Sequence, residues 1–428
     1  MKVCVYGLWH LGCVTAACLA EAGHHVMGLD PDERVISDLH RATPPLFEPG
    51  LGELTLEGIQ AARLMFTTDT EEAVAQAEVV WVTFDTPVDA DDRADVGYVL
   101  DRVRAIFPLL MEGAVVLISS QLPVGSARQL EQAYAAGEYA PNVRFAVSPE
   151  NLRLGKALSV FRTPDRVVIG VRNESDRATL TALFAPITDR IEWMGVESAE
   201  MTKHALNGFL ALSVTYANEI AALCEQVGAD AKEVERGLKS EARIGQAAYL
   251  GPGAAFSGGT LARDITFMGD LATQHGLVLP VVSGVPQSNN THRGWAIRRL
   301  RELLGADLTG KRIALLGLTY KPGTDTLRRS LAIELAQGLH AAGCVVVGHD
   351  PAVKALPPEL GDTLTLADTF SDALRGADAA ILSTQWEAYK ELTAQDFAAV
   401  PILLDANGYL RATLGNVAGL QYMAVGQG

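Results

Sequence analysis

The chain is poor in several things at once, and each shortage narrows what it can be. Its 428 residues hold only five cysteines, Cys4, Cys13, Cys18, Cys224 and Cys344. They are odd in number and scattered, with no CxxC pair and no metal-ligand spacing, so neither a disulfide framework nor a zinc module is expected. No apolar run reaches the ~18 residues that would span a bilayer, which argues against membrane insertion. Positive charge is also short: 35 Lys and Arg stand against 51 Asp and Glu, a formal net charge of -16. Such a chain repels nucleic-acid backbones and anionic membrane surfaces, so neither is expected as a partner. An anionic small ligand would need a locally basic pocket. The N-terminus runs from Met1 straight into an apolar strand with no basic leader, so no signal peptide is expected and a reducing cytoplasm fits best.

Length and glycine are in good supply. At ~150 residues per domain, two or three domains are expected. Residues 2–6 form an apolar, β-prone run that ends in the turn Gly7-Leu8-Trp9-His10-Leu11-Gly12, followed by an Ala-rich helical stretch from Val14 to Ala22. A second strand, His25 to Leu29, then delivers Asp30. This is the plan of a dinucleotide site: glycines admit a pyrophosphate to the backbone, the helix N-terminus stabilises its charge, and the acid accepts a ribose hydroxyl. Asp30 would repel a 2′-phosphate, which favours NAD over NADP. Trp9 occupies the usual second glycine of G-x-G-x-x-G, and a plain βαβ turn would produce the same pattern. Further strands are expected at Val79–Phe84, Ala114–Ser119, Val143–Val147 and Arg166–Ile169, as a doubly wound sheet requires.

From about Glu197 to Val227 the pattern changes to one long helix without proline, suited to joining domains and pairing subunits. Helices interrupted by a glycine-rich loop, Gly251 to Gly259, follow to about Leu300. A second α/β unit then opens: Lys311 to Gly317 reads as a strand and turn, Ser330 to Ala342 as a helix, and Cys344–Gly348 as a strand reaching Asp350. Strands at Ala379–Leu382 and Ile402–Leu404 complete a smaller sheet. The expected fold class is α/β, with two Rossmann-like doubly wound domains at 1–196 and 301–428 joined by a central helical domain at 197–300.

Several ordered segments carry a family resemblance. They are Asp30-Pro31-Asp32-Glu33-Arg34-Val35, Phe47-Glu48-Pro49-Gly50-Leu51, the run from Ser148-Pro149-Glu150-Asn151 to Ala157, and Thr163-Pro164-Asp165-Arg166 to Gly170. Later come Ala199-Glu200, Lys203, Asn207, Asn218-Glu219, Ala242-Arg243-Ile244-Gly245 and Gly317-Leu318-Thr319-Tyr320-Lys321-Pro322-Gly323-Thr324-Asp325. In this series the chain resembles the UDP-glucose/UDP-N-acetylmannosamine/GDP-mannose 6-dehydrogenase family. The resemblance implies a four-electron oxidation at C6 of a nucleotide sugar with two NAD molecules, through a thioester on a catalytic cysteine, in a homodimer.

The chain departs from the family at that cysteine. The family loop P-G-x-G-F-G-G-S-C-F-P-K-D reads Pro252-Gly253-Ala254-Ala255-Phe256-Ser257-Gly258-Gly259-Thr260-Leu261-Ala262-Arg263-Asp264 here, with Thr260 at the cysteine position. A thiol has an unperturbed pKa near ~8.5, whereas an alcohol does not ionise appreciably at neutral pH, so Thr260 is a far poorer nucleophile. The family's S-T-V-P, whose threonine helps hold the catalytic water, reads Ser120-Gln121-Leu122-Pro123. Its lysine beside the aspartate is Arg263, a cation that does not titrate.

By resemblance, Lys203, Asn207, Asp264 and Glu150 are the acid/base and oxygen-binding residues, with Thr260 in the nucleophile's place. NAD contacts carry over to Gly7, Leu11, Gly12, Asp30, Arg34, Thr86, Ser120 and Arg328. The nucleotide sugar carries over to Glu150, Leu152, Arg153, Lys203, Asn207, Tyr249, Gly253, Phe256, Gly259 and Lys321, with Arg243 reaching a neighbouring subunit. Plainer roles stay open: a solvated or interhelical pair for Lys203 and Asn207, a helix start for Glu150, a helix cap for Asp264, packing for Thr260. The functions in view are NAD-dependent oxidation to the C6 aldehyde, full oxidation by a cysteine-independent route, and non-catalytic binding of NAD or a nucleotide sugar.

Overall fold

A computed structural model describes residues 1–87, 94–150, 152–257 and 259–427. Asn151 and Gly258, both within the family segments above, lie outside the described residues. The chain divides into two compact units, Met1–Leu206 and Asn207–Gly428. Helix Val196–Val227, 32 residues long, contains the boundary; it occupies the expected position, beginning one residue earlier.

The first unit is built on an eight-stranded sheet. In chain order its strands are β1 (Lys2–Tyr6), β2 (His25–Leu29), β3 (Leu64–Thr67), β4 (Val79–Val82), β5 (Val115–Ile118), β6 (Arg144–Val147), β7 (Val167–Gly170) and β8 (Ile191–Met194). Their spatial order is β3-β2-β1-β4-β5-β6-β7-β8. All neighbours are parallel except β6 and β7, which meet antiparallel at Val147 and Gly170. The central strands are continuous apolar runs, Val-Val-Trp-Val in β4 and Val-Val-Leu-Ile in β5, with every residue buried. A parallel sheet covered on both faces demands that pattern.

Helix His10–Glu21 starts four residues before the expected Val14. Trp9 is its N-cap in an extended conformation, so the glycine turn feeds the helix directly. Alanines and cysteines make its buried face small, and it packs closely against β1 and helix Leu51–Gln60. Leu19 is wholly buried in this core, where truncation to alanine costs ~2–5 kcal/mol.

The second unit holds a six-stranded parallel sheet in the order β11-β10-β9-β12-β13-β14. Its strands are β9 (Arg312–Leu316), β10 (Val345–His349), β11 (Thr365–Leu366), β12 (Ala379–Leu382), β13 (Ile402–Asp405) and β14 (Gln421–Met423). Helices Ala231–Ser240, Thr260–Gln274, Pro280–Arg293 and Trp295–Leu304 lie between helix Val196–Val227 and this sheet in sequence. The strands without a sequence expectation are β3, β8, β11 and β14. All four lie at the outer ends of the two sheets, and the longest has four residues.

Three buried histidines, His24, His292 and His349, have imidazoles pushed below their ordinary pKa, with burial the largest cause. The folded state therefore binds fewer protons at these sites than the unfolded chain, and stability rises with pH through the window below about 6.5. Glu200 acts the other way, because burial raises its carboxyl. Urea midpoints measured at pH 7.5 and 5.5 should fall at the lower value. An unchanged or higher midpoint at pH 5.5 would contradict the histidine contribution.

Candidate active site

In the first unit the glycine turn is set by contacts no side chain could share. Gly7 has φ +102, and a Cβ there would lie 2.8 Å from Phe84; a Cβ on Gly12 would lie 1.9 Å from the Gly7 carbonyl oxygen. Trp9, whose extended backbone needs no glycine, is 45% exposed at the turn. Leu11 is half-buried in the first helical turn. His10 pairs with Glu48 at 2.9 Å, and the Glu48 carboxylate also accepts from the N–H groups of Gly155 and Ala157.

Asp30 follows β2. Its Oδ2 accepts from Leu8 N–H at 2.7 Å and its Oδ1 from Asp32 N–H at 3.0 Å, so each oxygen retains a lone pair for a ribose hydroxyl. The corresponding acid of the second sheet, Asp350, differs. Its Oδ2 accepts from Leu318 N–H, Thr319 N–H, the Thr319 hydroxyl and the Trp386 indole, and only 3% of the residue is exposed. The two openings echo each other in sequence, but only the first leaves its acid available.

At the C-terminal edge of the same sheet, Thr86 donates to the Gln121 carbonyl at 2.7 Å. Ser120 Oγ is buried with no hydrogen-bond partner among the described residues. A buried hydroxyl left this way is a cost unless a ligand answers it. The glycine cradle, the available Asp30 and the orphaned Ser120 hydroxyl fit a dinucleotide. Arg34 is exposed on helix Glu33–Leu39.

Beside Ser120 a small cavity of about 30 Å³ is lined by Gln121, Leu122, Pro149, Glu150, Glu200, Lys203 and His204. Lys203 Nζ donates to the Glu150 main-chain oxygen at 2.6 Å, and the Glu150 carboxylate accepts from Leu152 N–H at 2.5 Å. Glu150 thus orders its own turn, ahead of helix Ala157–Arg162 and not at its start. Leu152 is half-buried and Arg153 exposed. Glu200 and His204 had no assigned role. Glu200 accepts from Gly125 and Ala127 N–H, capping helix Ser126–Ala135, and His204 bonds the Leu122 carbonyl at 3.0 Å. Their spacing from Lys203 along one helix was the available signal.

In the second unit, Asn207 Nδ2 donates to Asp264 Oδ2, and both residues are buried, Asp264 completely. Asp264 stands inside helix Thr260–Gln274, which rules out the capping role. Thr260 is the first residue of that helix and is exposed; Gly259, with φ +97, is its N-cap. The preceding loop is held through its main chain. Gly253 N–H donates to Asn218 Oδ1 and Ala254 N–H to Asn407 Oδ1, while the Gly253 carbonyl accepts from His292. Asn289 bonds both the N–H and the carbonyl of Phe256. Phe256 packs with Ile265 and Val285.

The remaining expected contacts are more open. Tyr249 is 60% exposed, and Arg243 is exposed with its guanidinium on Glu241 at 3.0 Å. Lys321 is half-buried, whereas Arg328 is exposed and lines a broad groove of about 730 Å³ with Lys354. A second cavity of about 330 Å³ lies at the C-terminal ends of β12 and β13, lined by Ala254, Ser257, His292, Tyr320, Thr384 and Asn407 among others.

All five cysteines are buried and unpaired. Burial raises the thiols of Cys4, Cys13 and Cys344, and that of Cys18 to about 12. A thiol that resists ionisation and has no access to solvent cannot take over from Thr260.

Profiles of the UDP-glucose/GDP-mannose dehydrogenase family match the chain in three successive parts: the NAD binding domain over residues 1–188, the central domain over 197–291 and the UDP binding domain over 314–412. UDP-glucose 6-dehydrogenase of Pseudomonas aeruginosa is 34% identical, with 100% of this chain and 98% of the relative aligned. UDP-glucose 6-dehydrogenase of Rhizobium meliloti is 33% identical with both chains covered completely. The solved UDP-glucose dehydrogenase of Pyrobaculum islandicum superposes with a TM-score of 0.88 at 29% identity, covering 100% of this chain and 98% of that one. The UDP-D-ManNAc dehydrogenase of Pyrococcus horikoshii, 24% identical with both chains fully covered and a TM-score of 0.84, shares the fold. With its sheet order, its dinucleotide turn and these matches over its whole length, the chain belongs to the UDP-glucose/GDP-mannose dehydrogenase family, enzymes that oxidise nucleotide sugars with NAD.

Proposed function

We propose that this protein oxidises the C6 alcohol of a nucleotide sugar, a UDP-sugar first among them, by two electrons and releases the 6-aldehyde. The observation that carries the reading is Thr260, an exposed alcohol where the family resemblance places the catalytic thiol, in a chain whose five thiols are all buried. The relatives in Pseudomonas aeruginosa and Rhizobium meliloti, both UDP-glucose 6-dehydrogenases, support the substrate class.

The oxidation removes a hydride from C6 and a proton from its hydroxyl. NAD, when bound, supplies the hydride acceptor. Lys203 brings an N–H donor that polarises the C6 oxygen, and Asp264, oriented by Asn207, accepts the hydroxyl proton, with Glu150 as the second candidate base. The family's second oxidation needs a nucleophile to add to the aldehyde and then leave. A neutral hydroxyl is poor in the first task, and an alkyl ester is a poorer acyl donor than a thioester. Arg153, Arg243 and Lys321 are the cations assigned to the diphosphate. Asp30 selects NAD over NADP.

We propose the domain division 1–196, 197–300 and 301–428, and a homodimer paired through helix Val196–Val227. Phe209, Tyr216 and Leu223 recur on it every seven residues and are 64%, 45% and 62% exposed. Among the described residues no helix is long and apolar enough to cross a membrane, and the free thiols suit a cytoplasmic setting.

NADH released per UDP-sugar consumed, with the product identified by mass, tests the reading. One equivalent and an aldehyde or its hydrate are expected; two equivalents with a uronate would sink it in favour of direct attack by water. Binding of UDP-sugars without any NADH signal would instead point to a non-catalytic role. Thr260→Cys supplies the converse test. A thiol at the first residue of a helix is favoured as thiolate, so T260C should gain a second NADH equivalent or accumulate a covalent acyl adduct visible by intact mass. A variant that still releases only aldehyde would show that residue 260 does not limit the reaction.

A further inference from the structure

Among the described residues, five side-chain hydrogen bonds anchor Gly253, Ala254 and Phe256 in the second unit, and every one of them is made to main chain. Asn218 comes from helix Val196–Val227, Asn289 and His292 from helix Pro280–Arg293, and Asn407 from the loop after β13. Gly253 takes two of these: its N–H donates to Asn218 at 2.9 Å, and its carbonyl accepts from His292 Nε2 at 2.8 Å. Ala254 N–H donates to Asn407 Oδ1 at 2.8 Å. A Cβ on residue 253 would lie 2.3 Å from that same Asn407 oxygen, so any side chain there would push the Asn407 amide off the Ala254 N–H.

The clamp is also a wall. The cavity of about 330 Å³ is lined by His292 and Asn407 from the clamp, by Ala254, Ala255 and Ser257 from the loop, and by Tyr320 after β9. A ligand placed there touches both the loop and the side chains that hold it. In the sequence Thr260 follows Phe256 by four residues.

His292 differs from the three asparagines in carrying a ring that can take up a proton. It is 8% exposed, and burial pushes its imidazole down, opposed by the hydrogen bond to Gly253 and by Glu225 and aided by Arg298. Arg293, next to it, is paired with Glu334 at 2.9 Å. The ring is therefore neutral, and the 2.8 Å contact with a carbonyl identifies Nε2 as the protonated nitrogen.

We propose that His292 is a positioning residue that couples occupancy of this cavity to the placement of residues 253–256, acting through the Gly253 carbonyl. The proposal rests on the nucleotide-sugar reading only in the choice of UDP as probe.

Amide exchange of residues 253–256, followed by mass spectrometry with and without UDP, compares the wild type with His292→Ala and His292→Gln. UDP should slow exchange in the wild type. In H292A, exchange should run about tenfold faster, the size expected for one lost buried hydrogen bond, and should no longer respond to UDP, whose affinity should fall about fivefold. H292Q retains an N–H donor and should restore most of both effects, while NAD affinity stays unchanged in all three proteins. Unchanged exchange in H292A, or an H292Q protein as impaired as H292A, would overturn the proposal. UDP that binds the wild type without slowing loop exchange would overturn it as well. If the wild type binds no UDP, the nucleotide-sugar reading fails, and the positioning role of His292 still stands or falls on exchange in the two variants. Should H292A not fold, Asn407→Ala, at an exposed side chain, puts the same question to the Ala254 amide.

Discussion

A buried polar side chain must find a partner, and helix Val196–Val227 meets that demand repeatedly by reaching out to other segments. Inside a helix the backbone satisfies itself, so the side chains are free to serve others. Glu200 accepts the N–H groups that open helix Ser126–Ala135, Lys203 donates to the Glu150 carbonyl, and His204 holds the Leu122 carbonyl. Further along, Asn207 orients Asp264, Asn218 holds Gly253, and Glu225 accepts from Trp295 and from the Gly426 amide. Within each unit, loops that would otherwise adapt to solvent are thus tied to a main chain whose own hydrogen bonds are already made.

The same demand explains why much of the fold could be read from the sequence and parts of the site could not. The central strands announced themselves because a parallel sheet buried on both faces must be apolar throughout, as β4, β5 and β12 are. Two-, three- and four-residue strands at a sheet's outer end carry no such signature. The residues that hold loop 253–256 were hidden for a different reason. Asn289, His292 and Asn407 act on main chain 33, 39 and 153 residues away. A main-chain partner leaves no mark in the sequence, so nothing in the pattern distinguishes these residues from surface polar ones.

The paired acids show the limit most sharply. Residues 2–30 and 311–350 share the order strand, glycine turn, helix, strand, acid, and the sequence treats Asp30 and Asp350 alike. What separates them is the number of donors the fold supplies. Asp350 receives the main-chain and hydroxyl donors of Thr319 and the Trp386 indole besides Leu318 and Ala352 N–H, whereas among the described residues Asp30 receives Leu8 and Asp32 N–H alone. In the second sheet the acid has become a structural brace, and its ligand must be recognised by other groups.

Thr260 shows the opposite case, in which one residue type decides the chemistry whatever the fold does. Residue 260 opens its helix, a setting that lowers a thiol's pKa toward neutrality. The same field acting on an alcohol starts from a pKa several units too high to populate an alkoxide. The buried, hydrogen-bonded pair of Asn207 and Asp264 is unaffected by that difference. On the proposed reading the first oxidation keeps its acid/base groups while the second lacks its nucleophile, so the chain is left with the groups for the first half of the reaction.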